Sequence, residues 1–388
     1  MGPTLCGRIE RQAASPHGAM RSSPGTIERL DGELDLVVDR RVPSISILAN
    51  KSNHRPMDPE RAARWNALLD AAADFHRLAP WRWLDDTQVF GVRAPVGDDI
   101  GWCVVIGRLG QNLGLVLYLG DHGWRSFRDM QEGWPTPEDA GMDQRCLSVT
   151  FDERSRLSPA MRALLKTLGR RHLGSRAWPD ALDANPGYIP DLITDEDLPW
   201  MTRALRKAVE VGLMTRERPG GLAVDQDGCL LVAEREMDGA EHWARHAPPE
   251  HRREDPRPFR FDLPRAVAIA RSAQRLDADW LVDRVRPFPV VIPERGTRPS
   301  FPHVLLIYDI DREFIVACRV LNDLEHDLGD ELLACAAQGV PRRFLVRRRE
   351  FVIRLAPIAA ALGVAIECIP ELEAVTRDVI DRMRQARP

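Results

Sequence analysis

The chain has 388 residues, 44% of them hydrophobic and 29% charged, and a formal net charge of −4. That length is more than one small core needs and predicts two or three domains, and the composition is that of a soluble globular protein. Near charge balance excludes a molecule drawn by its overall field to nucleic acid or an anionic membrane, so any basic site must be a local patch.

The cations are almost all arginine, with lysine only at Lys51, Lys166 and Lys207. Arginine suits bidentate anion recognition, but a GC-rich genome produces the same bias across a proteome, and that plainer reading is adopted. Seven cysteines, at positions 6, 103, 146, 229, 318, 335 and 368, contain no Cys-x-x-Cys pair. Cys103, Cys318 and Cys368 lie in apolar runs, where thiols behave as small hydrophobes. An odd, scattered set predicts a reduced, cytoplasmic protein. No run approaches the ~18 apolar residues that span a bilayer, and no signal-peptide pattern opens the sequence.

Residues 1–56 predict a poorly structured extension in which only "LDLVVD" and "PSISIL" have strand character. Asp58 as N-cap and Pro59 at the first helical position then open a helix, and Met57 directly before them is the expected start of natural translation. Trp65, Leu68, Leu69, Ala72 and Phe75 or His76 give that helix one apolar face. Trp81 and Trp83, two apart, would face one side of a strand. They read as core anchors rather than as a base-stacking platform, with Asp85 and Asp86 beginning a turn.

"TQVFGVR", "GWCVVIGRLG" and "LGLVLYLG" read as three strands. Gly107, Gly110 and Gly114 are turn residues and not a phosphate loop, because a strand follows them where a helix would be needed. "RCLSVTF" is a further strand, and Ser158 and Pro159 cap a helix with Met161, Leu164, Leu165 and Leu168 as its stripe. "SRAWPDALDANPGYIPDL" reads as a proline-rich loop. Thr194 caps the next helix, with Asp195, Glu196 and Asp197 in its first turn, and "LAVDQDGCLLVAERE" reads as a hairpin turning near Asp-Gly. His242 and His246 have the spacing of one helical turn, which can hold zinc, with His251 as a third ligand. The segment lacks a zinc-protease glutamate and is read as exposed and polar.

These elements make an α+β domain over 57–244. A linker follows over 245–262, proline-rich and charged, and then an α/β domain over 263–388. The second domain opens with a helix around 264–275 and the segment "PFPVVIP". The hairpin "HVLLIYD"/"EFIVACRVL" follows, then a helix over 323–337 with Leu324, Leu328, Leu332 and Cys335 on one face. The strand "RRFLVRR", a helix carrying Phe351, Leu355, Ile358 and Leu362 and kinked or divided at Pro357, the strand "VAIECI" and a last helix over 371–384 complete it. The order hairpin–helix–strand–helix–strand predicts a mixed sheet with helices on at least one face.

"FHRLAPWRWLDDTQVFGV" and "GWCVVIGRLGQNLGLVLYLG" resemble a bacterial domain family of unknown function. "GVPRRFLVRRREFVIRLAPIAAALGVAIE" and the hairpin before it resemble a second such domain, which often follows the first, and together the two cover about 57–388. The resemblance implies no activity. It does imply an acidic residue just after the "VR" of the later strand, where this chain places Arg348 and Arg349 before Glu350.

The stretch "GVPRRFLVRRREFVIRLAP" carries six arginines, Arg342, Arg343, Arg347, Arg348, Arg349 and Arg354. Strand alternation puts Arg343, Leu345 and Arg347 on one face and Phe344 and Val346 on the other. Arg348 and Arg349 fall at the strand-to-helix junction, where α/β sheets present ligand sites. Arg343, Arg347, Arg348 and Arg349 are therefore the candidate ligand-binding residues, for an acidic protein partner or a nucleic acid. Asp323, Glu325, Asp327, Asp330 and Glu331 are the expected internal partners. The favoured reading is a non-catalytic binding or regulatory protein without a cofactor.

The alternative is a metal-dependent, ribonuclease-H-like nuclease using magnesium or manganese, since the order of elements is compatible with that fold. Its two-metal chemistry needs converging carboxylates, and Asp309, Glu331 and Glu350 are the candidates. Arginines beside them would repel a metal, so any such domain is expected to be catalytically silent, with "DIDR" as a hairpin turn.

Overall fold

A computed structural model describes residues 57–134, 137–222, 226–236, 239–251, 256–286, 298–321 and 324–385. The extension over 1–56 and the segment "PFPVVIP" lie outside the described residues.

The first helix, α1 (Pro59–Leu78), begins as expected: the Asp58 carboxylate accepts from the Arg61 amide, and Trp65, Leu68, Leu69, Ala72 and Phe75 are buried. Trp81 and Trp83 are not on a strand, because Pro80–Arg82 is a 3-10 turn. Strands β1 (Val89–Arg93), β2 (Ile100–Ile106) and β3 (Leu113–Leu119) form an antiparallel meander. Gly114 lies where β3 passes β4, and a Cβ there would sit 2.3 Å from the Val149 carbonyl oxygen, so only glycine fits.

Next come α2 (Gly120–Glu132), α3 (Pro137–Met142), β4 (Cys146–Asp152) and α4 (Pro159–Thr167). The proline-rich loop expected after α4 contains a strand, β5 (Trp178–Ala184), whose Pro179, Ala181 and Asp183 point inward while the residues between are half-buried. Proline and aspartate at inward positions hid the alternation. A short β6 (Asp191–Leu192) precedes α5 (Leu198–Glu217), which starts after the turn made by Thr194 and the acidic residues rather than at them. A hairpin joins β7 (Leu230–Arg235) to β8 (Glu241–His246), while residues 223–225, at the start of the expected hairpin, lie outside the described residues.

The sheet order is β6-β5-β4-β3-β2-β1-β7-β8, antiparallel except where β7 joins β1 in parallel. Its two faces carry separate cores. α1, α4 and α5 bury one with Trp65, Phe75, Met161 and Met201, and α2 covers the other with Trp124 and Phe127 against Trp102 and Tyr118.

The second sheet is mixed. After α6 (Leu263–Ser272) come β9 (Asp279–Val285), β10 (His303–Asp309), β11 (Phe314–Leu321), α7 (Leu324–Ala336), β12 (Arg343–Val346), α8 (Arg349–Leu362), β13 (Ala365–Cys368) and α9 (Glu373–Gln385). The strand order is β11-β10-β9-β12-β13, with β10 antiparallel to both neighbours and β9, β12 and β13 mutually parallel. The central strand, β9, has no period-2 signature, because adjacent Asp283 and Arg284 interrupt the apolar run of "DWLVDRV", yet all seven positions are buried. Pro357 sits inside a continuous α8 and does not divide it. α6, α7 and α8 cover one face with Phe351, Leu328 and Ile358, and α9 lies against the other with Val379.

Residues from Pro56 onward form one compact unit. The stretch read as a linker is tied at both ends. His251 lies 2.9 Å from Asp129 of α2, and the Phe259 amide donates to the Arg354 carbonyl under a guanidinium 3.9 Å above the Phe259 ring. A second tie is the bridge of Tyr188 to Ser300, reinforced by Arg298, which donates to Asp183 at 2.9 Å.

Candidate functional site: an arginine–aspartate corner

Parallel pairing of β9 with β12 sets Asp279 opposite Arg343. Four residues on, the same offset brings Asp283 to Arg347, so two aspartates on one strand meet two arginines at or just beyond the end of its neighbour. Arg343 is hydrogen-bonded to Asp279 and pairs with Glu367 of β13 at 2.8 Å. Arg342 reaches the same Asp279 at 3.0 Å. These two guanidiniums, Arg343 first, hold the Asp279 carboxyl down to about 2 against the opposing effect of burial. Arg347 is held by Asp283 and by Glu373 of α9.

Arg348 ends the extended segment as the N-cap of α8 and turns inward, only 4% exposed. Its guanidinium donates to Asp139 of α3 at 2.8 Å, to Asp283 at 3.0 Å and to the Arg284 carbonyl, and lies 5.2 Å from the Phe351 ring centroid. Arg284 also meets Asp139, at 2.9 Å, and its other end meets the His303 ring at 3.3 Å. Burial first, then Arg284 and Arg286, push His303 down to about 4, so its neutral ring accepts from Arg284. Arg286, beyond β9, pairs with Asp143 at 3.0 Å. Glu350 is pushed up by burial, which outweighs Arg348 at 3.9 Å.

The four candidate arginines therefore divide. Arg347 and Arg348 are struts inside the fold, Arg343 is half-exposed and paired, and Arg349 is exposed at the first turn of α8. Among the described residues their observed carboxylate partners come from β9, β13, α8, α9 and α3. Of the acids expected as partners, Glu331 of α7 faces Arg319 of β11 at 3.9 Å, and Asp323 and the Glu325 side chain lie outside the described residues.

The alternative metal site is not assembled. Asp309, fully buried, accepts from the amide of Arg312 at 2.9 Å and from its guanidinium at 3.0 Å, and so closes the β10–β11 turn. It lies opposite Trp280 at the start of β9, whereas Glu350 follows the end of β12, which runs parallel to β9. The two are thus at opposite ends of the sheet, and Glu331 is engaged with Arg319. Among the described residues no group of three His, Cys, Asp or Glu side chains is placed to hold a metal ion.

A second polar cluster lines a shallow groove of about 670 Å³ beside β7 and β8. His242 and His246 lie on strand β8 and not on a helix. His246 meets Glu234 at 2.7 Å, and Arg93 grips the same carboxylate at 2.5 and 2.8 Å and holds it below its ordinary range. His251 is spent on α2, so the three histidines do not converge. The tryptophans are anchors: Trp81 packs edge-on to Phe75 at 5.5 Å, and the Trp83 indole donates to the Thr215 hydroxyl at 3.2 Å.

Cys103, Cys146, Cys318, Cys335 and Cys368 are free thiols. No helix among the described residues is long and apolar enough to cross a membrane. No curated protein matches the chain, and no solved structure does. Two family models match it: Domain of unknown function (DUF7309) over residues 65–233, and Domain of unknown function (DUF6930) over residues 268–383. The chain therefore matches two domains of unknown function, one in its N-terminal and one in its C-terminal part.

Proposed function

We propose that this is a non-catalytic binding or regulatory protein of the cytoplasm, which presents the arginines left accessible around β12 to an acidic protein partner. One observation carries the reading. At the end of β12, where a ribonuclease-H-like hydrolytic centre would gather carboxylates around metal, Arg347 and Arg348 sit on Asp283. The strand order, with one antiparallel strand second from the edge, is compatible with such a domain, but guanidiniums seated on the carboxylate at that strand end are incompatible with a divalent ion there.

An acidic protein is favoured over a nucleic acid because the accessible cations are interleaved with anions. Arg342 and Arg343 are paired with Asp277, Asp279 and Glu367, leaving no uninterrupted basic stripe on that face for counterion release. A mosaic of that kind matches a protein surface of complementary pattern.

Titration of the full chain with a poly-glutamate peptide and with a short single-stranded RNA tests this. Peptide binding that weakens at least threefold in Arg349→Ala is expected. Failure of the peptide to bind overturns the acidic-partner reading, and salt-dependent RNA binding lost in the same variant replaces it with the polyanion. Calorimetry with magnesium and manganese tests the enzyme alternative: a binding heat abolished by Asp309→Ala would revive it and refute the non-catalytic reading.

A further inference from the structure

Asp139 of α3 and Asp143 just after it belong to the DUF7309 region, yet both pair with arginines of the DUF6930 region. Asp139 receives Arg284 at 2.9 Å and Arg348 at 2.8 Å, and Asp143 receives Arg286 at 3.0 Å. Arg284 is the last residue but one of β9, Arg286 follows that strand, and Arg348 follows β12. The carboxyl ends of parallel strands are where open α/β sheets receive ligands. This chain places an acidic segment of its own there.

That segment is held by charge more than by apolar packing. Within 139–143 only Asp139 and Ala140 are buried, while Gly141 is exposed and Met142 and Asp143 are half-buried. A Cβ added at Gly141 would meet nothing within 4 Å. A stretch with so few buried apolar contacts belongs to the low-stability end of a fold. Its match to the arginines is also incomplete. Arg286 keeps Nε and Nη1 buried without an acceptor among the described residues, and Arg284 and Arg348 each keep Nε so. A buried donor left unmade retains its desolvation penalty, so an acidic segment that met more of these groups would compete with the resident one.

We propose that residues 139–143 are an internal, displaceable occupant of an arginine seat formed by Arg284, Arg286 and Arg348, and that an acidic segment of a partner protein takes their place. The inference rests on the acidic-partner reading and deepens it, because displacement adds three arginines to the accessible set near Arg349. The resident also specifies the partner's chemistry. It offers two carboxylates four positions apart on one helical turn, closed by the Asp143 amide on the Asp139 carbonyl at 2.9 Å. A protein segment with that spacing reproduces the complementarity already present.

The test uses the full chain and a fluorescent peptide copying residues 133–147. Asp139→Asn/Asp143→Asn, which removes the resident carboxylates, should bind this peptide about tenfold tighter than the native chain does. A peptide with asparagine at both positions should not bind the variant. Equal binding by the two chains, or binding that survives asparagine in the peptide, overturns the inference. Circular dichroism checks that the variant folds, and if it does not, hydrogen exchange on the native chain decides. The Asp143 amide should exchange about tenfold faster when poly-glutamate is bound. Unchanged exchange over 139–143 with poly-glutamate bound overturns the displacement and leaves the acidic-partner reading standing. Poly-glutamate that binds neither the native chain nor the variant refutes that reading, and this inference with it.

Discussion

At the scale of single residues, Asp279 shows how the arginines around β12 act within the fold. Its folded pKa of about 2 lies below the unfolded value near 3.9. The pairing therefore adds stability that is fully present above about pH 4 and is lost as pH falls through 2. Asp279→Asn should flatten this acid limb of a urea-unfolding series between ~pH 4 and ~pH 2, and an unchanged limb would remove Asp279 from the account. Arg343 and Arg342 were legible as cations in the sequence. The carboxylate that claims both was not, because it lies on a strand some sixty positions earlier and only parallel register brings them together.

Among the elements, α8 is the informative one. Its stripe of Phe351, Leu355, Ile358 and Leu362 is buried as periodicity foretold. Pro357 lacks an amide and leaves the Ile353 carbonyl without its intrahelical partner, but Ile353 is exposed, so water can take that acceptor and the helix runs on. Pro357→Ala is therefore expected to stabilise the protein by about 1–3 kcal/mol, since helix-interior proline costs up to about 3 kcal/mol relative to alanine. Chemical denaturation measures it, and destabilisation would mean that the ring itself packs in place. Elements with a clean period were found in this way. β5 and β9 were missed because proline, aspartate and arginine stand at buried positions, and such residues satisfy burial only through partners that no local window contains.

For the molecule as a whole, the DUF7309 and DUF6930 regions are joined by more than a stretch of chain. Asp183 of β5, 3% exposed, accepts from Arg145 of its own region and from Arg298 of the other, and Asp139 of α3 receives Arg284 and Arg348. Breaking a buried pair by removing one partner costs roughly 3–5 kcal/mol. Calorimetry should accordingly show one unfolding transition for the native chain and two for Arg298→Met, in which the Tyr188–Ser300 bridge also loses its brace. Two transitions in the native chain would show that the regions melt independently.

The sequence by itself determined the apolar stripes, the capped helix starts, the mixed α/β character of the second half and the abundance of arginine, because each depends on neighbours within a few positions. It also exposed the conflict between arginine at the β12–α8 junction and an acidic centre there. Only the tertiary structure decided which carboxylates meet those arginines, that Asp309 and Glu350 stand at opposite ends of one sheet, and that Arg348 is a buried strut rather than a surface cation. A charge has no periodic preference that fixes its partner. Whether it is free or neutralised depends on strand order and register, which long-range pairing alone sets.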